Sequence, residues 1–146
     1  MEHIMSNKRK IAALAIVAAC TAASAASATT ASWPAKIVGT WKGMSNQTSV
    51  VLKVTSQTGA GKCQDIQGTL QNARGETDTI YGYYCPGSGA IEFRRFASDY
   101  SAAYQTYTGS LNQNYAGAPH LLIAGTFSQY ITAFGPLGQY SFSLIN

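Results

Sequence analysis

Charge and histidine are the scarcest things in this sequence. Only 11% of its 146 residues are charged, and it holds two histidines and three cysteines. His3 falls in the first ten residues, so His120 is the one histidine of the main body. A Ser-His-Asp triad would have to use it, yet no GxSxG stands before a helix-forming segment. One histidine and the two cysteines of the main body, Cys63 and Cys85, cannot complete a zinc site. The acids of the body, Asp65, Glu76, Asp78, Glu92 and Asp99, are scattered and give no support to a glycosidase pair. No phosphate-binding loop and no dinucleotide fingerprint occurs. These absences point away from an enzyme and from any cofactor or metal. Helical periodicity is missing as well, which leaves strands as the building material.

The apolar run Ile11 to Ala19, "IAALAIVAA", is too short to span a bilayer, which takes about 20 residues. It follows Lys8, Arg9 and Lys10 and precedes the small-residue tract "CTAASAASATTAS". Basic, apolar, then small is the layout of a bacterial export signal, and Ala26-Ser27-Ala28 fits its cleavage site. Residues 1–28 are therefore expected to be an export signal, 29–36 an N-terminal arm and 37–146 the folded domain. Met5 is a second candidate start. Val17-Ala18-Ala19-Cys20 also resembles a lipobox, in which Cys20 would carry lipid and the small residues would form a tether. Two destinations stay open: periplasmic or secreted, and outer-membrane lipoprotein.

Beyond residue 28, seven Lys and Arg face five Asp and Glu, a balance of +2 against +4 for the whole chain. Much of the basic character thus sits in the leader, and no nucleic-acid partner is implied. All 16 aromatics (2 Trp, 9 Tyr and 5 Phe) lie in the body, and aromatics favour strands. Alternation and turn residues predict strands over 37–44, 49–56, 64–71, 78–85, 90–97, 103–112, 120–129 and 138–145. The turns "SNQ", "QTGAG", "NARGE", "PGSG", "SDYS", "NYAGAP" and "GPLG" separate them. Asn46-Gln47-Thr48 reads as a glycosylation sequon, which a bacterial leader makes irrelevant.

A glycine recurs in one phase: "IVGTW" at 37–41, "IQGTL" at 66–70, "IYGYY" at 80–84, "YTGSL" at 107–111 and "IAGTF" at 123–127. Glycine weakens a strand interior, so its repetition needs a cause. In a hairpin centred on Arg74, Gly68 faces Ile80 and Gly82 faces Ile66. Small against large on one face suits a tightly bent sheet, and eight strands is the number that closes into a small barrel. The expected fold is an all-β, eight-stranded antiparallel up-and-down barrel; bulges in an open sandwich are the other reading of these glycines. The same hairpin sets Cys63 opposite Cys85, so an exported domain is expected to bridge them.

Gly39-Thr40-Trp41 at the start of such a barrel resembles the calycins, and among them the avidins. "GTWKGMSNQTSVVLKV" is similar to their first hairpin, "QGTLQNARGETDTIYGYY" to their third and fourth strands. "FASDY", "QTYTGSL" and "HLLIAGT" resemble the fifth, sixth and seventh. The resemblance implies dimers or tetramers, and a small ligand held at one open end between aromatic walls. Carried over by position, it implies ligand contacts at Phe96, Gln105, Tyr107 and His120, with Trp41 as a floor residue. The sequence departs from the pattern at Gly43, where the family has a ligand-contacting asparagine, and at Leu70, where it has a tyrosine. A ureido group loses about 1–3 kcal/mol for each polar partner removed, which weighs against tight biotin binding.

The inward face of two strands is ambiguous. In the seventh, Leu121, Ile123 and Phe127 alternate with His120, Leu122 and Ala124; in the fifth, Ile91 and Phe93 alternate with Glu92, Arg94 and Phe96. Apolar residues on both sides of the seventh strand favour a homo-oligomer. Tyr81, Tyr83, Tyr84, Tyr104 and Tyr107 could form an aromatic strip. Two functions follow. One is an exported binding protein with a small-molecule ligand at the barrel mouth. The other is an inhibitor or immunity-type protein that grips a partner enzyme through its loops and the arm "TTASWPAK", led by Trp33-Pro34.

Overall fold

The computed structural model describes residues 33–96, 103–113 and 120–146. The expected export signal with Cys20, and residues 29–32 of the arm, lie outside them. Eight strands follow in order: β1 (Gly39–Ser45), β2 (Thr48–Thr58), β3 (Gln64–Asn72), β4 (Thr77–Cys85), β5 (Ala90–Phe96), β6 (Ala103–Gln113), β7 (Leu121–Ile131) and β8 (Gly135–Ile145). Each pairs antiparallel with the next, and β8 pairs with β1, so the sheet closes into a barrel. The seam runs from Lys42↔Ile145 to Ser45↔Phe142 and is extended by the Asn46 amide on the Ser141 carbonyl at 3.0 Å.

The repeated glycines mark places where neighbouring backbones close in. A Cβ on Gly82 would overlap the Glu92 carbonyl oxygen and lie 2.6 Å from the Cβ of Phe93. On Gly125 it would overlap the Thr108 carbonyl and stand 2.9 Å from its carbon. Gly68 and Gly109 meet the Lys53 and Ala124 carbonyls in the same way. What fills the space beside these glycines is mainly the adjacent strand itself. A strand can bend this sharply only where it has no side chain to obstruct its neighbour. Gly39 differs. Its Cβ would meet nothing, and its φ of 149° is the reason for glycine there. A bulge in β2 at Thr55, opposite Gln67 and Gly68, adds further twist.

The core follows the glycine phase. Trp41, Leu52, Val54, Ile66, Leu70, Ile80, Tyr84, Ile91, Phe93, Leu111, Ile123, Phe142 and Leu144 all point inward. One end, the base, is stoppered by the N-terminal arm. Ile37 is buried, and its carbonyl accepts the Trp41 indole N–H at 3.0 Å. Its amide donates to Gln57 Oε1 at 2.8 Å, and Gln57 Nε2 donates to the Ala35 carbonyl at 2.8 Å. The Tyr84 hydroxyl donates to the Pro34 carbonyl at 2.8 Å. Trp33 lies flat on Gly89, where a Cβ would come within about 3.0 Å of the indole. The disulfide Cys63–Cys85 ties β4 to the loop before β3 at this same end.

Candidate functional site

The other end is different in kind. Phe93, Tyr107 and Phe127 are cross-strand partners on β5, β6 and β7. Their rings stack with centroids 4.7 Å apart in both steps and interplanar angles of 8° and 16°. Tyr140 on β8 extends the row at 5.3 Å from Phe127, and Phe142 meets Tyr107 edge-on at 5.2 Å. This row separates the apolar core from a polar cavity of about 240 Å³ at the mouth. The cavity is bounded by the end of β1, the starts of β2, β6 and β8, and the ends of β3, β5 and β7.

A hydrogen-bonded chain crosses the floor of this cavity. The Tyr107 hydroxyl donates to Gln105 Oε1 at 2.9 Å, and Ser45 Oγ lies 3.3 Å from the same hydroxyl. With the phenol proton committed to Gln105, Ser45 is left as the donor to Tyr107. Arg95 Nη1 donates to Gln105 Oε1 at 3.2 Å, and Arg95 Nε donates to Asp78 Oδ2 at 2.7 Å. Arg95 Nη2 forms an ion pair with the same carboxylate oxygen. The side chains of Arg95 and Asp78 are 14% and 4% exposed, so the pair is largely desolvated. A buried charge is tolerated only when matched, and each of these two supplies the other's match. Among the described residues, no buried side-chain polar atom lacks a hydrogen-bond partner. The Tyr107 phenol is held above the usual tyrosine value of 10.0. Burial is the main cause, partly offset by Ser45 and Arg95.

The four positions expected to contact a ligand divide evenly. Gln105 and Tyr107 stand in the mouth, joined by the bond just described. Phe96 does not: it lies on the outer wall, 45% exposed, in a band with Tyr81 at 6.3 Å and Tyr104 at 6.4 Å. Strand alternation is the reason, because Phe93 and Arg95 take the inner face of β5. His120 precedes β7 at the base, exposed, with Nδ1 2.7 Å from the Asn146 carbonyl. Both ambiguities therefore resolve in the phase of the glycines: Ile91 and Phe93 inward in β5, Leu121, Ile123 and Phe127 inward in β7. Tyr84 and Tyr107 belong to the core, while Tyr81 and Tyr83 are outside.

Ser45, Asp78, Gln129 and Tyr140 were not picked out by sequence reasoning as site residues. Their signal is phase. Asp78 is two residues before Ile80, as Arg95 is two beyond Phe93, each on the strand face that the glycines define. Trp41, expected at the floor, lies in the core and bonds toward the base. No groups of His, Cys, Asp and Glu suited to a metal ion occur among the described residues. No known family model matches the chain, and no curated protein matches it.

Proposed function

We propose that the chain is an exported, avidin-like binding protein that holds a small ligand at the polar mouth of its barrel. The observation that supports this most directly is the concave mouth itself: an aromatic floor under a ring of amides and hydroxyls. Binding sites for small molecules combine apolar walls with a few fixed polar groups in this way. At the base the barrel interior is covered by Trp33, Pro34 and Ile37. Biotin is a poor candidate for tight binding. Position 43 offers no side chain, and the carboxylate–guanidinium pair spends on itself the charge that a ligand would need.

The reading is tested by following backbone and side-chain amide NMR signals during titration with biotin and a library of small polar compounds. At least one saturable ligand is expected to move Gln105 and Gln129 together. A library in which no compound moves them, while other surfaces respond, overturns the proposal. A ligand at 100 times its dissociation constant adds about 2.7 kcal/mol, so melting curves give an independent readout.

The second reading, a protein that grips a partner enzyme, draws on Phe134 and Leu137 in and beside the β7–β8 turn. They are 76% and 44% exposed. In that case the grip comes from the mouth loops, because Trp33 is already engaged with Gly89. Phe134→Ser would then abolish capture of exported hydrolases and leave small-molecule binding intact.

A further inference from the structure

The mouth, read as a ligand site, also constrains the class of ligand. The argument rests on the reading above. At about 240 Å³ the cavity is smaller than the roughly 300–1,000 Å³ of drug-sized sites and has room for about one ring below its rim. Among the described residues Arg95 is the one formally charged residue lining it, and Asp78 neutralises that charge from behind. An anionic ligand would have to compete with a desolvated carboxylate already 2.7 Å away. A cationic ligand would meet the guanidinium. Both lose their hydration for little return.

What the lining does offer is capacity both to donate and to accept. Gln105 Oε1 already receives two bonds, from Arg95 and Tyr107, which leaves its NH₂ for a ligand. Gln129, Asn46 and Tyr140 line the cavity, and their side chains make no hydrogen bond to other described residues. An amide presents donors and an acceptor side by side, and a hydroxyl ligand group does the same. Beside them Tyr140, the outermost ring of the aromatic row, supplies an apolar surface. A ligand with hydroxyls round its rim and a C–H face matches this lining group by group.

We infer that the mouth takes an uncharged pyranose sugar, as a free monosaccharide or as the end residue of a longer glycan. The Asp78–Arg95 pair acts as the filter that excludes sugar acids.

The test titrates the oxidised protein with the methyl glycosides of glucose, galactose, mannose and N-acetylglucosamine, with glucuronate and glucosamine as charged counterparts. The readout is the side-chain NH₂ signals of Gln105 and Gln129. At least one neutral glycoside should shift both signals saturably, with the charged counterparts weaker by about tenfold or more, the worth of one charged-group hydrogen bond. A matching oligosaccharide that binds more tightly than its methyl glycoside assigns the site to glycan ends; equal affinity assigns it to the free sugar. Asp78→Asn leaves Arg95 unneutralised and should turn the preference toward glucuronate. Gln129→Ala, whose side chain supports nothing else, should abolish the sugar-dependent shift at Gln105 without changing the melting temperature. That variant keeps the test sound if Asp78→Asn fails to fold. If glucuronate or biotin moves Gln105 and Gln129 while neutral sugars do not, the sugar assignment falls and the mouth reading stands. If no probe moves them, both fall.

Discussion

Replacing Gly82 by alanine adds one methyl group to the inner wall of β4, and its consequence follows from what already stands there. The new Cβ would overlap the Glu92 carbonyl oxygen and crowd both Cα and Cβ of Phe93. These atoms belong to the next strand, fixed by the pairs Gly82↔Phe93 and Tyr83↔Glu92. A flexible side chain could swing away; a hydrogen-bonded backbone can move only by breaking its ladder. Overpacking a core typically costs about 1–3 kcal/mol, and a rigid obstacle places Gly82→Ala at the upper end, about 3 kcal/mol. For a domain of this size that lowers the melting temperature by about 10 °C. Gly87→Ala is the matched control. Its Cβ would meet nothing within 4 Å, and its φ is not among the positive ones. Stiffening the unfolded chain there should change stability by less than about 1 kcal/mol, in the favourable direction. Urea unfolding followed by the fluorescence of Trp33 and Trp41, with the disulfide intact, measures both variants. An equal slope with a shifted midpoint identifies a true stability change. If Gly82→Ala and Gly87→Ala unfold at the same urea concentration, close backbone approach is not why the glycines recur.

Three further outcomes are expected. Removing the Cys63–Cys85 bridge, which closes a sequence separation of 22, should cost about 3 kcal/mol in urea unfolding of Cys63→Ala/Cys85→Ala. Arg95→Ala leaves Asp78 buried without its cation and should cost about 3–5 kcal/mol; the Asp78→Ala/Arg95→Ala pair should cost clearly less than the two single losses summed. Tyr84 and Tyr107 are both held above 10.0 chiefly by burial, so the folded state keeps their protons when the unfolded chain releases them. Stability from this source is intact below pH 10 and declines as pH rises beyond it. Ultraviolet absorbance should accordingly show two phenols ionising late, together with unfolding, and Tyr107→Phe should flatten the decline.

The barrel was legible because its cause is repeated along the chain. Five glycines in one phase, turn residues between alternating segments and a symmetric cysteine pair each point to the same hairpins, and the strand pairs Ile66↔Gly82 and Gly68↔Ile80 fall as the turn at Arg74 requires. The site was half legible. Gln105 and Tyr107 lie on a strand whose glycine, Gly109, shares their parity. Phe96 and His120 were assigned by position in a pattern instead, and each sits one residue out of phase with the inner wall. Parity is unforgiving, since a slip of one residue turns a side chain from core to solvent. The pairing of Asp78 with Arg95 was not legible for another reason. Seventeen positions separate them in the chain, and only the closed register β4–β5 brings their charges together.

Position 43 shows how closure and recognition compete for the same wall. The avidin pattern implies a ligand-contacting amide there. In this chain a Cβ at Gly43 would overlap the Ser143 carbonyl and lie 2.9 Å from the Leu144 Cα, across the seam that joins β8 to β1. A side chain at 43 and a seam this tight exclude one another. The polar groups that remain available stand mainly across the mouth, on β5, β6 and β7, where Arg95, Gln105 and Gln129 project above the aromatic row. There the stacked rings Phe93, Tyr107 and Phe127 fill the inner wall. The stability of the barrel therefore rests on the base, the aromatic row and the Asp78–Arg95 pair above it. Gln129, which bonds to no other described side chain, can be exchanged at little cost to folding, whereas Gln105 holds the Tyr107 hydroxyl and Arg95 in place.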